Sequence, residues 1–234
     1  MAQPFIQAEA ASRLGLIQEL ALMTSIRLWF GPIALLLFIA GTLAIGAFTP
    51  GYSHVRQTVS ELGEVGSPGQ FAFSALLCVI AACLVIFASA VARSLRGLGC
   101  SALPAYFVVA LAISCAGVGI FSFPHPLHNV FGLSETAGLQ APLVAALVCW
   151  NVPRARQVVL FSIIMYVVVL FAIAVNLIPL VRPASLWPII KPYFGIVQRL
   201  LFISWFVWCA GYAMFLLRVG RADNSFQKAA FRRR

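Results

Sequence analysis

The sequence predicts an all-α polytopic membrane protein, a bundle of six transmembrane helices, and three observations carry that prediction. Uninterrupted apolar runs of bilayer-spanning length, about 20 residues, recur along the chain. Of its 234 residues 62% are hydrophobic and 9% charged, with a mean hydropathy of +0.99, far too little charge to cover a soluble surface. Backbone groups in lipid must find partners inside their own segment, so the runs are read as helices.

Residues 1–27 place Glu9, Arg13, Glu19 and Arg27 among Leu14, Ile17, Leu20 and Met23 at helical spacing, which predicts an interfacial amphipathic helix. Its two acids and the lack of a small-residue cleavage site make 28–48 a retained first span rather than a cleaved signal. The second span is 71–92, closed by Arg93 and Arg96. The third is 101–123, with Pro104 near its start and Ser114, Gly117 and Gly119 as small surfaces for close helix approach. Only residues 136–153, 18 in all, are uncharged between Glu135 and Arg154, and Pro142 sits among them. The fourth span is therefore extended back to 131–150, which sets Glu135 near the membrane surface. The fifth is 157–181, with Asn176 and Pro179 toward its far end. The sixth is 195–217, with Gln198 and Arg199 about one turn inside, and 218–234 is a basic tail.

Charge bias orients the bundle, since Lys and Arg near span ends are retained on the cytoplasmic face. With the amino terminus inside, Arg13, Arg27, Arg93, Arg96, Arg154, Arg156, Arg218, Arg221, Lys228, Arg232, Arg233 and Arg234 fall inside, twelve of the sixteen basic residues. Arg56, Arg182, Lys191 and Arg199 fall outside. The expectation is a multi-pass protein of the bacterial inner (plasma) membrane with both termini cytoplasmic and the tail against anionic lipid. The formal charge of +10 is thus topological, and no basic stripe interleaved with stacking aromatics marks a nucleic-acid partner. The six cysteines, Cys78, Cys83, Cys100, Cys115, Cys149 and Cys209, lie in spans or at the inner interface, without CxxC spacing, and read as packing residues.

A second asymmetry follows from this orientation. His54, His125, His128, Glu61, Glu64 and Glu135, all the histidines and all the acids of the inter-helix loops, lie outside. The polar island Thr49 to Gly69, TPGYSHVRQTVSELGEVGSPG, is the centre of that face. Within it Thr58 and Glu61 have the spacing of a capping box, a local role that does not preclude a functional one. Pro124 to Asn129, PHPLHN, reads as a proline-bounded turn with a candidate helix start at Asn129. An arginine toward the bilayer centre costs about 2.5 to 3.5 kcal/mol on insertion scales, so Arg199 is expected to face a partner, Glu61 or Glu135, or else to snorkel to water. The candidate binding cluster is His54, Arg56, Glu61, His125, His128, Asn129, Glu135, Gln198 and Arg199.

GYSHVRQTVSELG after the first span, FSFPHPLHNVFG after the third and VQRL opening the last together resemble the prokaryotic integral membrane family known as domain of unknown function 998. That family is similar, more distantly, to a six-span eukaryotic group of FGF-receptor-activating, autophagy-modulator and lipid-asymmetry membrane proteins. The resemblance covers roughly Leu28 to Leu217 and implies a six-helix bundle with a polar site near the outer face. It implies no reaction.

Three function classes stay open. In the first, a non-catalytic outer pocket binds a lipid headgroup or small amphiphile, with Arg199, Arg56 and Lys191 meeting phosphate and His128 and Gln198 donating hydrogen bonds; membrane lipids are then the partners and no cofactor is needed. In the second, an intramembrane hydrolase holds Zn on His54, His125 and His128 with Glu61 or Glu135 as general base, although no HExxH helix is present. In the third, a proton-linked transporter relays through Glu61, Glu135 and the histidines, and with six spans and no evident internal repeat it would act as a homo-oligomer. Binding ranks first.

Overall fold

The computed structural model describes residues 3–181 and 185–231; Arg182 and Arg232, Arg233 and Arg234 lie outside the described residues, as do the side chains of 1–14, 17, 180 and 221–234. Every regular element among them is a helix or a 3-10 turn. Six helical segments are long and apolar enough to cross a membrane: Gln18–Ala47, Gln70–Gly97, Leu103–Ile120, Pro126–Cys149, Pro153–Asn176 and Trp187–Gly220.

Helix α1, Gln3–Leu28, runs almost directly into α2, Phe30–Ala47, with one interrupted residue at Trp29. Pro32 explains the interruption, because it has no N–H to donate to the carbonyl of Leu28 four residues back. The expected division at residue 28 is thus a kink within one long segment. The far half of α1 packs on α3 and α10.

Helix α3, Gln70–Gly97, carries the most regular core stripe. Leu77, Ile80, Leu84, Phe87, Val91 and Leu95 are buried at steps of three and four, one face of a 3.6-residue helix. Arg93 and Arg96, expected beyond the second span, lie in its last turns, and the chain reverses at Gly99, whose φ of +72° favours glycine. Helix α4 is Leu103–Ile120.

The fourth span is the one whose geometry positions the site. It starts earlier than expected and is broken in two: α5, Pro126–Gly138, and α6, Ala141–Cys149. Pro126 begins α5 because a first-turn residue needs no N–H, and His125, not Asn129, is its cap, its Nδ1 accepting from Leu127 N at 3.2 Å. Pro142 breaks the pair by removing the donor that Gly138 O would meet. The two halves then diverge: α5 packs chiefly on α4, and α6 on α7, Arg156–Asn176. A Cβ at Gly138 would lie 2.5 to 2.7 Å from the backbone and Cβ of Leu111, so only glycine permits the α4–α5 approach at that level.

After α7 come the short α8, Ile178–Val181, and α9, Trp187–Ile190, and then α10, Phe194–Phe231. The described part of the stretch expected as a separate basic tail, to residue 231, continues this last helix. Helix α10 is the central post, packing on α7, α2, α1 and α3. Its Trp205, Phe206, Trp208 and Tyr212 are almost fully buried. Trp208 stacks on Tyr212 at 5.1 Å and donates from Nε1 to Ser162 Oγ at 3.0 Å, while Phe206 stacks on Phe38 of α2 at 5.2 Å.

Candidate functional site

The polar island between α2 and α3 is folded over the start of α10 by backbone as much as by side chains. Gly195 makes this possible, since the carbonyls of His54, Val55 and Gln57 occupy the space a Cβ would take. Ile196 N donates to Val55 O at 3.3 Å, and Gln198 accepts from Val59 N at 2.6 Å through Oε1. A Ser60–Gly63 3-10 turn follows, with Leu62 fully buried beneath it.

Arg199 fastens the loop to the helix. Its Nη1 donates to His54 O at 2.8 Å, Gln57 O at 3.0 Å and Gly195 O at 3.0 Å, and its Nη2 donates to Tyr52 Oη. The Tyr52 hydroxyl in turn donates to Thr58 O at 2.7 Å. Glu61 Oε1 accepts from Thr58 N and Thr58 Oγ1, both at 2.9 Å. Part of the expected capping box therefore forms, with the threonine hydroxyl turned onto the carboxylate. The expected partner of Arg199, Glu61 or Glu135, is replaced by carbonyls. Three peptide dipoles and a phenol oxygen supply the negative potential that a carboxylate would, and Glu61 is connected to Arg199 only through Thr58 and Tyr52. Burial raises the Tyr52 phenol above its usual pKa, opposed by the Arg199 hydrogen bond and charge and reinforced by the charge on Glu61. His54 packs edge-on to Tyr52 at 5.2 Å with its Nδ1 buried and unpaired, and burial first, then Arg199, lowers its pKa below 6.5.

Beneath this clamp lies a cavity of about 570 Å³. It fills the space that the divergence of α5 and α6 opens beside α7 and α10. His128, Gly132 and Glu135, and Leu139 just past the helix end, line it at steps of four, three and four, continuing one face of α5. Asn129 and Thr136 flank that face, and Ser60, Asn176 and Gln198 add polar atoms from three other segments. The remaining wall is apolar, with Phe38, Phe73, Ile173, Leu201, Phe202 and Phe206 prominent. Among the described residues the lining contains one acid, Glu135, and no Lys or Arg.

Of the nine candidate residues, the fold brings four to this wall: His128, Asn129, Glu135 and Gln198. Arg199, His54 and Glu61 belong to the loop clamp. Arg56 is exposed, and His125 caps α5 while packing on Phe121 at 5.0 Å. No three His, Cys, Asp or Glu side chains gather as a metal-binding group among the described residues. The histidines are spent separately, His128 with its Nδ1 on Phe121 O at 2.9 Å and its ring edge-on to Phe123. The six cysteines are free thiols, Cys83, Cys115, Cys149 and Cys209 buried in the packing.

Two residues escaped the sequence-level cluster. Tyr52 is the hinge of the loop clamp, and nothing in its local pattern distinguishes it from an interfacial tyrosine. Asn176 carried a usable signal, an amide within a span. Its Nδ2 donates to Ala172 O at 2.8 Å and Val197 O at 3.3 Å, which ties α7 to α10, and the residue lines the cavity.

A second cavity of about 690 Å³ lies at the opposite end, between α7 and α10, with Arg154, Phe161, Met214 and Arg218 on its wall and none of the candidate residues.

No curated protein and no solved structure matches this chain. A family model does match, over residues 32–214, from the first span to the last and including both the loop clamp and the broken helix. The chain therefore belongs to the family described as protein of unknown function DUF998.

Proposed function

We propose that this protein binds an amphiphile of single-chain size in the cavity between α5, α7 and α10. The single observation that carries the reading is the composition of that wall: an aromatic and aliphatic surface joined to convergent polar groups on α5, α7 and α10. Binding sites for small molecules are of this kind, about 300 to 1,000 Å³, mostly apolar, with a few placed polar groups, and in bundles they form between helices. The orientation read from charge bias would put the loop clamp on the outer face. The clamp's role is then support, because Arg199 and Gln198 hold the 52–60 segment over the cavity rather than reaching a phosphate themselves.

Gly132 offers the test. It lines the cavity, and a Cβ built there meets nothing within 4 Å. Gly132→Phe should fill the cavity without displacing its neighbours, and Gly132→Ala should leave it open while stabilising the helix by about 0.5 to 1 kcal/mol. Native mass spectrometry of protein released from nanodiscs doped with dodecanol should show a bound adduct for the Ala variant and none for the Phe variant. Equal retention by both would refute the reading.

A further inference from the structure

We propose that the amphiphile carries a protonated primary amine, with Glu135 as its counter-ion; this deepens the reading above and rests on it. The argument is an inventory of which polar atoms on the wall are already committed. Asn176 has carbonyls as both its partners, and only an amide NH₂ can meet a carbonyl, so its remaining atom is an acceptor. His128 meets Phe121 O through Nδ1, which must therefore carry the proton, and a neutral ring then presents Nε2 as an acceptor. The Thr136 hydroxyl gives its proton to Leu133 O at 2.7 Å and keeps its lone pairs. Glu135 has no hydrogen-bonding or charged partner among the described residues, and as a carboxylate it only accepts. The wall also keeps neutral donors, at Gln198 Nε2, the Asn129 amide and the Ser60 hydroxyl, so it is the carboxyl of Glu135 and not a count of acceptors that favours a cationic head.

The charges point the same way. The cations once considered for a phosphate are elsewhere: Arg199 is spent on carbonyls, Arg56 is exposed, and Lys191 is not on the wall. An anionic head would meet Glu135 with no Lys or Arg of the described residues on the wall beside it. A cationic head would pair with Glu135 as a carboxylate, the form that apolar surroundings disfavour when no partner is present. Glu135 lies nine residues into α5, about 14 Å along the helix at 1.5 Å per residue. An ammonium there would have Leu201, Phe202 and Phe206 nearby to take an alkyl chain. The volume suits one chain and a small head, which commits the proposal to a single-chain amine rather than a diacyl aminophospholipid.

The test uses the full chain in phosphatidylcholine nanodiscs, titrated calorimetrically with dodecylamine, dodecanol and dodecyl phosphate, with empty nanodiscs as the partition control. Dodecylamine should bind about tenfold to a hundredfold tighter than either analogue, the range of a charge-assisted hydrogen bond. Glu135→Gln should erase that preference and Glu135→Asp should keep most of it; the Asp variant also guards against a folding defect in the Gln variant. Dodecanol binding as tightly as the amine, with both blocked by Gly132→Phe, would overturn the amine assignment and leave the amphiphile reading standing. A preference for dodecyl phosphate would overturn it likewise. Competition by phosphatidylethanolamine added to the nanodiscs would overturn the single-chain commitment. Binding of all three probes that Gly132→Phe does not affect would remove both readings.

Discussion

Trp205 donates its indole N–H to the carbonyl of Gly138 at 3.2 Å, the group that Pro142 leaves without an intrahelical donor. The break between α5 and α6, which makes room for the cavity, is thus sealed by a residue of the central helix. Trp205→Phe removes the donor and strands a buried carbonyl, at an expected cost of about 1 to 3 kcal/mol. Pro142→Ala restores the missing N–H, so in that background the cost of Trp205→Phe should shrink. Reversible unfolding in detergent of the two single variants and the double variant measures the coupling, and strictly additive effects would show that the bond does not compensate for the proline.

Arg199 and Glu61 should behave as weakly coupled elements despite their proximity in the loop clamp. Arg199→Gln leaves the carbonyls of His54 and Gln57 without their donor, an expected loss of about 1 to 3 kcal/mol. Arg199→Lys should recover little, because a single ammonium does not reproduce the planar fork. Glu61→Gln keeps an oxygen that can accept from Thr58 and should cost about 0 to 1 kcal/mol. Because Tyr52 and Thr58 link them, the two losses should couple, but only at the low end for one hydrogen-bond chain, about 0.5 kcal/mol. A larger coupling in thermal unfolding would mean that the pair interacts directly.

The loop and the cavity were unequally legible in the sequence. Span number and helical class followed from apolar run length, because lipid leaves the backbone no alternative. The candidate cluster was found as a region and not as a set of contacts. His128, Asn129, Glu135 and Gln198 do share a wall, yet only a folded chain shows that Arg199 prefers carbonyls to an acid, since the acceptors are peptide groups that every sequence has. The divided fourth span is the clearest case. Pro142 stands out within the short uncharged stretch, but the start at Pro126 is masked by the proline-bounded turn, which points to Asn129, and by Glu135, whose charge argues against burial.

Acidification should loosen the loop clamp. The lowered pKa of His54 means that the folded state favours the neutral ring, while the unfolded chain takes up a proton near 6.5. The unfolded state therefore binds more protons in the window just below 6.5, and stability should be full above it and fall as pH drops through it. Melting temperatures in detergent taken between about pH 7.5 and pH 5 should decline for the native chain. The decline should be shallower for His54→Gln; an identical slope would assign the effect to another group.

Orientation can be read directly from single cysteines in a cysteine-free background. Ser67 and Ser185 lie in loops at one end of the bundle and Ser94 in the last turn of α3 at the other. With the charge-derived orientation, an impermeant maleimide added to intact cells should label the first two and spare the third. Labelling of Ser94 alone would invert the bundle.

The most direct measurement of the central claim is photolabelling within the membrane. A single-chain alkyl amine carrying a diazirine near the end of its chain, irradiated with the full-length protein in nanodiscs and mapped by mass spectrometry, should attach to Leu201, Phe202 or Phe206 on α10 and to Phe38 on α2. Excess unlabelled amine and Gly132→Phe should each abolish that labelling. Attachment confined to lipid-facing side chains such as Leu160, Val167 and Phe171, unchanged by competitor or by Gly132→Phe, would contradict an amphiphile site in this cavity.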